Sequence, residues 1–271
     1  MKRIIYLFLM SLFVLFTACE DDDKGDTSIS NDESVVDILD GEAYTCDGTE
    51  SGHDYVDLGL TSGTMWATTN IGAKEPQSNG DYFAWGETTP KGSYSWSSYE
   101  FGYGLRRLTK YCSKADFGEK EYVDTKNVLD EEDDAAHVNW GGKWIMPTHE
   151  QQKELIKQCY WVWTSNYNKS KVAGYVVFKA KSPEDKGVCT LKGEVHLSSY
   201  SLSDAHIFLP ATGTYLNSFH LVVGKSGEFW SSSLNTSSPS FSWTLSFESS
   251  YVVDRDNGRY WGMPVRPVFK P

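Results

Sequence analysis

The sequence predicts a loop-rich α+β domain, and three observations support this fold class. Aromatic residues make up 14 % of the 271 residues, with 10 Trp and 16 Tyr. Glycine is frequent, with 23 residues, and long helical patterns are scarce, whereas short segments of alternating apolar and polar residues recur. Such a composition is typical of short strands joined by long loops. A chain of this length can bury the core of one large domain.

The first 18 residues predict a lipoprotein signal peptide. Lys2 and Arg3 precede an apolar run over residues 4–16, which is shorter than the roughly 20 residues of a membrane-spanning helix. The small residues Thr17 and Ala18 lead to Cys19, which we expect to become the lipidated N-terminus. An ordinary cleaved signal peptide and a short anchor helix are the alternatives.

An acidic, disordered tether is expected over residues 19–42, followed by the globular domain over residues 43–271. The tether is polar and short of aromatic residues, so burial cannot offset the entropy lost on ordering it. Residues 20–23 resemble the acidic surface-export signal of lipoproteins in the Bacteroidetes, which implies a lipid-anchored location on the outer membrane, facing the cell exterior. A simple solvated tether is the alternative interpretation.

The charge of the chain narrows the range of partners. The formal net charge is −12, and much of the acidic excess lies in residues 20–40 and 130–134. Such a charge argues against nucleic acid or an anionic membrane surface as a partner.

Four cysteines remain once Cys19 is assigned to the lipid anchor. They allow three disulfide pairings, none of which can be chosen from sequence, and disulfides persist in exported domains. Cys159 follows the apolar residues of a predicted helix, where a buried free thiol is the more ordinary outcome. Disulfides and free thiols therefore both stay open for Cys46, Cys112, Cys159 and Cys189.

The ordered domain is predicted to begin with a β-hairpin. Residues 55–60 alternate large apolar and polar side chains, as a half-buried strand does. Ser62 and Gly63 then favour a turn, and residues 64–68 are predicted as the partner strand.

Two short helices are predicted in the middle of the chain. Over residues 148–160, Thr148 and Gln151 form a capping-box pattern, and Leu155 and Cys159 recur on one face. Over residues 130–139, five acidic residues crowd the positive end of the helix dipole. No helical pattern follows residue 160, and the later strands are predicted over residues 174–180, 205–211, 227–232, 242–247, 251–254 and 263–269.

Several phrases of the sequence together resemble one family. They lie in order over residues 55–67, 80–89, 133–136, 140–148, 207–213, 229–233 and 265–268. The chain thereby resembles the Fibrobacter succinogenes major paralogous domain of surface lipoproteins, over nearly the whole mature domain. The resemblance implies a C-type-lectin-like fold with two small twisted antiparallel sheets, two short helices, long loops and neighbouring termini. Ile145 departs from the family pattern, in which arginine is usual at this place.

The tryptophans within these phrases are expected to form the core. They are Trp66, Trp85, Trp140, Trp144 and Trp230.

Aromatic residues in less regular segments are the more suggestive candidates for ligand contact, because rings among Ser and Gly bind sugar faces or protein partners with little entropy loss. One segment carries Tyr94, Trp96, Tyr99, Phe101 and Tyr103, and a second carries Trp161, Trp163 and Tyr167.

The resemblance to the diversified lectin-fold proteins implies that the stretch over residues 230–260 forms the ligand-facing edge. A plain polar strand pair with a turn at residues 256–258 is the alternative interpretation. The candidate ligand-binding residues are Trp96 and Tyr99 together with Asn235, Tyr251, Asp254, Arg255, Asp256, Asn257, Arg259 and Tyr260.

Calcium is the cofactor of true lectins, but the sequence has neither an E-P-N nor a W-N-D triplet, so no cofactor is assigned and calcium is only an option. Carboxylates could ligate a structural ion, while helix capping and solvation explain them equally well. The four candidates are Asp81, Glu87, Asp133 and Asp134.

The expected function is non-catalytic binding of a glycan or protein ligand in adhesion or ligand capture. His149 and Glu150 lack the second histidine of a metalloprotease motif, and no phosphate loop or G-x-S-x-G elbow occurs. A structural subunit of a surface assembly is the main alternative. An enzyme on the fold of the formylglycine-generating oxidases is the other, although the cysteine pair that binds copper in those enzymes has no closely spaced counterpart here.

Overall fold

The computed structural model describes residues 42–190 and 200–271. The predicted signal peptide, the lipidation site Cys19 and almost all of the tether lie outside the described residues. The regular elements are β1 (Gly48–Glu50), β2 (His53–Val56), β3 (Met65–Ala67), α1 (Ala135–Trp140), α2 (His149–Gln158), β4 (Cys159–Thr164), β5 (Gly174–Lys179), β6 (Cys189–Thr190), β7 (His206–Pro210), β8 (Thr214–Leu216), β9 (Phe219–Leu221), β10 (Ser226–Leu234), β11 (Phe241–Glu248), β12 (Tyr251–Gly258) and β13 (Val268–Phe269).

The strands form four sheets within the described residues. A terminal sheet has the order β1-β2-β3-β13, a central sheet β6-β4-β5-β7, and a polar sheet β10-β11-β12, while β8 and β9 form a separate hairpin. Every pair of neighbours is antiparallel except β4 and β6. The mixed α+β class is confirmed, but the prediction of two sheets is corrected to four.

The terminal sheet joins the two ends of the described domain. Strands β2 and β3 form the predicted hairpin, in which Val56 pairs with Trp66, and Gly63 in the intervening turn has φ +70. Val268 of β13 then pairs with Trp66 from the other side. The strand predicted over residues 263–269 is reduced to β13, because Pro264 and Pro267 have no N–H to donate to a ladder.

Strand β4 overturns the prediction of exposed aromatic residues in this segment. All six of its residues are buried, and Trp161 and Trp163 pack in one hydrophobic cluster while Tyr160 and Val162 pack in another. Tyr167 is buried as well. A continuous apolar run is typical of a strand covered on both faces, so Trp161, Trp163 and Tyr167 are core residues.

Both predicted helices are present, and their capping explains where they begin. The Thr148 side chain accepts from the Gln151 N–H and the Gln151 side chain accepts from the Thr148 N–H, as the capping box requires. Helix α2 ends at Gln158 because Cys159 already belongs to β4. Helix α1 begins at Ala135, since Asp134 acts as its N-cap and the preceding acidic residues form a 3₁₀ turn.

One hydrophobic core is shared by the three larger sheets and helix α2. It contains Trp66, Leu155, Trp161, Phe229 and Val268, among others. A second cluster contains Trp85 and Trp230, which are fully buried, and Trp144 is also buried. The core role predicted for four of the five tryptophans is confirmed.

Trp140 is the exception among the predicted core tryptophans. It is half-buried, and its ring stacks on His53 with 3.7 Å between ring centroids. The ring also packs against the buried Trp144, with 5.2 Å between ring centroids, so Trp140 lies at the edge of the core.

The cysteines and helices of the described residues give two further results. Cys46, Cys112 and Cys159 are free thiols, and Cys159 is fully buried, as the sequence indicated. Over residues 42–190 and 200–271, neither helix is long and apolar enough to cross a bilayer.

Candidate functional site

Polar side chains line one face of the polar sheet. In the sheet register, Ser246 lies between Glu228 and Val253, and Thr244 lies between Trp230 and Arg255. Because side chains alternate along a strand, these positions share one face with Asn257. We call Glu228, Thr244, Ser246, Arg255 and Asn257 the polar row.

The polar row is built around the buried carboxylate of Glu228. The Ser246 hydroxyl donates to its Oε1 at 2.9 Å, and the Asn257 amide donates to its Oε2 at 2.9 Å. The same Asn257 nitrogen lies 3.1 Å from the Thr244 hydroxyl. Glu228, Thr244 and Ser246 are buried, so these contacts fix the orientation of the half-buried Asn257 side chain.

Burial raises the pKa of the Glu228 carboxyl above its ordinary value. The Ser246 hydrogen bond and the positive charge of Arg255 oppose this rise. The Arg255 guanidinium is exposed and lies 5.0 Å from the centroid of the Tyr251 ring. The accessible end of the row therefore presents a cation beside an aromatic face.

An aromatic corner lies where strand β12 ends. Its half-buried rings are Trp96, Tyr260 and Trp261, and the centroids of Trp96 and Tyr260 are 4.8 Å apart. The Trp261 N–H donates to the Gly258 carbonyl, which turns the chain back against the end of the strand. The predicted candidates Trp96 and Tyr260, far apart in sequence, are thus brought together.

Tyr99 and Arg259 are buried next to the aromatic corner and are not accessible to a ligand. Tyr99 is only 6 % exposed and Arg259 is 0 % exposed. The Arg259 Nε donates to the Tyr99 hydroxyl at 2.8 Å, and the Tyr99 hydroxyl donates to the Trp85 carbonyl at 2.8 Å. The prediction that Tyr99 and Arg259 are ligand-binding residues is corrected, since neither is accessible.

Most other rings of the segment around Trp96 are also buried. Tyr94 and Phe101 are 2 % and 8 % exposed, whereas Tyr103 is 49 % exposed. Tyr94 and Phe101 pack with Tyr99 in one aromatic cluster. Of the five rings predicted to be exposed, Tyr103 is exposed and Trp96 is half-buried, and the prediction is wrong for Tyr94, Tyr99 and Phe101.

The remaining predicted residues on β12 point to the other face of the sheet. Asp254 accepts from the His149 ring of helix α2 at 2.7 Å, and that ring stacks on Trp243 with 4.1 Å between centroids. Asp256 accepts from the Asn235 amide at 2.6 Å. These contacts hold helix and strands together, so Asn235, Asp254 and Asp256 are separated from the polar row.

The polar strand pair of the alternative interpretation is present in β11 and β12, but its turn at residues 256–258 is not, because β12 continues to Gly258. Phe241 pairs with Gly258 and Ser242 pairs with Asn257, so the ladder runs to the end of the strand. This extension places Asn257 and Arg255 on the same row.

Three of the four carboxylates considered as metal ligands already have protein partners, and these are Glu87, Asp133 and Asp134. The Lys91 amine lies 2.6 Å from Glu87. Asp134 accepts from the N–H groups of Ala136 and Met146, each at 2.8 Å, so it acts as a helix cap. Asp81 is exposed on a loop.

Asp133 belongs to the acidic cluster that it forms with Asp130 and Glu132. The Lys110 amine contacts Asp133 and lies 3.1 Å from Glu132 and 3.8 Å from Asp130. A lysine thus supplies the positive charge at this cluster, and the side chains around it give no reason to add a metal ion.

Sequence reasoning missed Glu228, the centre of the polar row. Its signal was a single carboxylate within the otherwise small and apolar segment over residues 226–230, which is unusual for a strand with a buried face. Thr244 and Ser246 were likewise placed in a strand without a role. The register of β10 against β11 was needed to bring them beside Glu228.

No family model, no curated protein and no solved structure matches this chain.

Proposed function

We propose that this chain is a surface lipoprotein whose domain binds a glycan without chemistry, at the joined surface of the aromatic corner and the polar row. The observation that carries this proposal is the pairing of the half-buried rings of Trp96 and Tyr260 at the end of β12. On the same strand, Asn257 bonds to the buried carboxylate of Glu228.

Sugar rings present both apolar C–H faces and hydroxyl groups, so a site for them needs two kinds of surface. An aromatic ring covers the C–H face and loses little conformational entropy. A few fixed polar groups then select the hydroxyl arrangement. The aromatic corner offers the first surface, and the accessible members of the polar row, Arg255 and Asn257, offer the second.

The cellular location is proposed from the N-terminal sequence. The basic start, the apolar run and Cys19 support lipidation, and the acidic residues after Cys19 support display at the outer surface. For the domain we propose a C-type-lectin-like fold, which is supported by the small antiparallel sheets, the two short helices and the pairing of β13 with β3.

Glycan-array screening of the chain, with and without calcium, tests the proposal. We expect binding to a subset of glycans, and Trp96→Ala and Tyr260→Ala should each weaken it by ~1–3 kcal/mol if the ring is a binding hot spot. The unfolding temperature should stay nearly unchanged, because both rings are only half-buried.

Tyr103→Ala is the matched control, since Tyr103 is an exposed aromatic of the same segment outside the corner. It should leave glycan affinity unchanged. The proposal fails if no glycan binds, or if the Trp96 and Tyr260 variants bind as tightly as the unchanged chain.

A structural role in a surface assembly is the second candidate, favoured by an exposed apolar hairpin. Phe219 is 67 % exposed, and Leu221, Val222 and Val223 are 38 %, 49 % and 47 % exposed. His220 beneath them contacts the Tyr82 hydroxyl at 2.9 Å, so the hairpin is held in place. Contiguous exposed apolar groups are typical of protein interfaces.

Chemical cross-linking in the cell envelope distinguishes this second candidate. A structural subunit should give one cross-linked complex of fixed stoichiometry that is lost in Phe219→Ser. A free glycan-binding lipoprotein should give none, and its glycan binding should be unaffected by the same substitution.

A further inference from the structure

A groove of about 680 Å³ lies along the outer side of helix α2, separate from the polar row and the aromatic corner. Helix α2 forms one wall, and Ser62, Ile145 and Lys270 lie on the other side. The volume is within the range of roughly 300–1,000 Å³ that small-molecule sites occupy.

Two half-buried side chains of α2, those of Glu154 and Gln158, fix the shape of the groove. The Glu154 carboxylate accepts from the Ser62 N–H at 2.8 Å and also from the Ser62 hydroxyl. The Gln158 carbonyl oxygen accepts from the Thr61 N–H at 3.0 Å and from its hydroxyl at 2.9 Å. Helix and turn are thus tied together, so a ligand would meet a preformed wall and lose little affinity to ordering it.

The charges of the groove are unbalanced towards the positive. Both acidic side chains on the groove are engaged, since Glu154 binds Ser62 and Glu150 accepts from the Lys153 amine at 2.9 Å. Across the described ranges, neither Lys157 nor Lys270 has an ion pair. Three lysines and two glutamates line the groove, which therefore has one positive charge in excess, although the chain as a whole has a net charge of −12.

The floor of the groove is apolar, whereas its rim is positively charged. Ile145 is half-buried and packs against the main hydrophobic core. The methylene stems of the lysines extend this apolar surface while their ammonium groups stay at the rim. An apolar floor with a cationic rim complements a ligand that has a hydrocarbon or aromatic body and an anionic head.

We propose that this groove is a second binding site, which takes a small amphiphilic anion. The carboxylate or sulfonate of the ligand pairs with Lys157 and Lys270, and its apolar body rests on Ile145 and the lysine stems. The site shares no residue with the proposed glycan surface, so either proposal can fail alone.

Two fluorescent probes that differ in one group test this proposal on the full chain. The anionic probe is 1-anilinonaphthalene-8-sulfonate, and its neutral partner is N-phenyl-1-naphthylamine, which has the same ring system without the sulfonate. We expect saturable binding of the anionic probe at one site per chain, and much weaker binding of the neutral probe. Added salt should weaken only the anionic probe, because it screens exposed charges.

The double variant Lys157→Gln with Lys270→Gln should raise the dissociation constant of the anionic probe by roughly 5- to 10-fold, as loss of two exposed ion pairs predicts. It should leave the neutral probe unchanged. Lys74→Gln with Lys225→Gln is the matched control, because it removes the same charge from exposed lysines elsewhere.

Three results would overturn the proposal: no saturable binding of the anionic probe, equal loss of affinity in the control double variant, or undiminished affinity without Lys157 and Lys270. Both lysines are exposed, and circular dichroism of each variant checks that the fold is kept.

Discussion

Arg259 donates from Nε to the Tyr99 hydroxyl at 2.8 Å, although 160 residues separate them. The same guanidinium donates to the carbonyls of Tyr111, Pro239 and Lys110 at 3.0, 3.1 and 3.1 Å. It also lies 4.7 Å from the Trp85 ring. One buried cation thus joins the long loop before α1 to the polar sheet beneath the aromatic corner.

Replacing Arg259 by lysine should destabilise the fold by about 3 kcal/mol or more, because a lysine cannot reproduce the planar fork and leaves buried carbonyl groups unpaired. The free energy of unfolding in urea measures this loss. Arg255→Lys is the matched control on an exposed position of the neighbouring strand and should cost less than about 0.5 kcal/mol. Equal losses in the two variants would contradict the role given to Arg259.

Glu228→Gln should change how stability depends on pH. Burial raises the pKa of Glu228 in the folded chain above its ordinary 4.5, so the folded state binds this proton more tightly than the unfolded state does. The stability due to this group is fully present below about pH 4.5 and is lost as pH rises through the folded-state pKa.

The measurement is the free energy of unfolding of both chains from about pH 4 to pH 8. The stability of the unchanged chain minus that of Glu228→Gln should fall with rising pH across this window. A difference that stays constant, or one that increases with pH, would show that burial does not raise the pKa of this carboxyl.

Gly213→Ala should be far more damaging than Gly63→Ala, although both glycines have positive φ, at +63 and +70. A Cβ at Gly213 would lie 2.1 Å from the Leu221 carbonyl oxygen, whereas a Cβ at Gly63 meets nothing within 4 Å. In each variant, the left-handed backbone conformation lowers the free energy of unfolding by about 1–2 kcal/mol. Only in Gly213→Ala does the steric collision lower it by a further ~2 kcal/mol.

The unfolding temperatures of the two variants separate backbone strain, which both variants have, from the steric collision, which only Gly213→Ala has. A similar loss of unfolding temperature in both would mean that the hairpin of β8 and β9 shifts to accommodate the methyl group.

Cys159 should resist alkylation until the chain unfolds. Its thiol is 0 % exposed, and burial raises its pKa well above the ordinary value, so both access and thiolate formation are suppressed. Iodoacetamide labelling followed by site-resolved mass spectrometry measures this. The half-exposed free thiol of Cys46 is the internal control, which should be labelled in the folded chain, and labelling of both at equal rates would contradict the prediction.

Sequence reasoning reached the parts of this fold that depend on neighbours in the chain. The hairpin of β2 and β3 follows from alternation and a glycine turn, and the start of α2 follows from Thr148 and Gln151. Trp66 and Trp230 were expected in the core because they lie within the family-like phrases, where burial of a large ring is the default. For the hairpin and the helix start, the physical cause acts within a few residues.

Sequence reasoning failed where contacts between distant segments decide whether a side chain is exposed. Trp161 and Trp163 were expected to be surface rings, but both pack on Tyr175 in the core, and Trp163 also packs on Phe247 of the polar sheet. Tyr99 and Arg259 were read as ligand contacts, yet they bond to each other in the interior. Polar and aromatic residues can satisfy their hydrogen bonds inside as well as outside, so composition alone cannot place them.

The sequence by itself determined the α+β class, the two capped helices and the polar character of the last strands, because local periodicity and capping act through the adjacent backbone. Only the tertiary structure decided that Glu228 sits beneath Asn257, that Trp96 meets Tyr260, and that Lys157 and Lys270 share one groove. These juxtapositions depend on strand register and loop closure, which sum contributions from the whole chain and leave no local pattern.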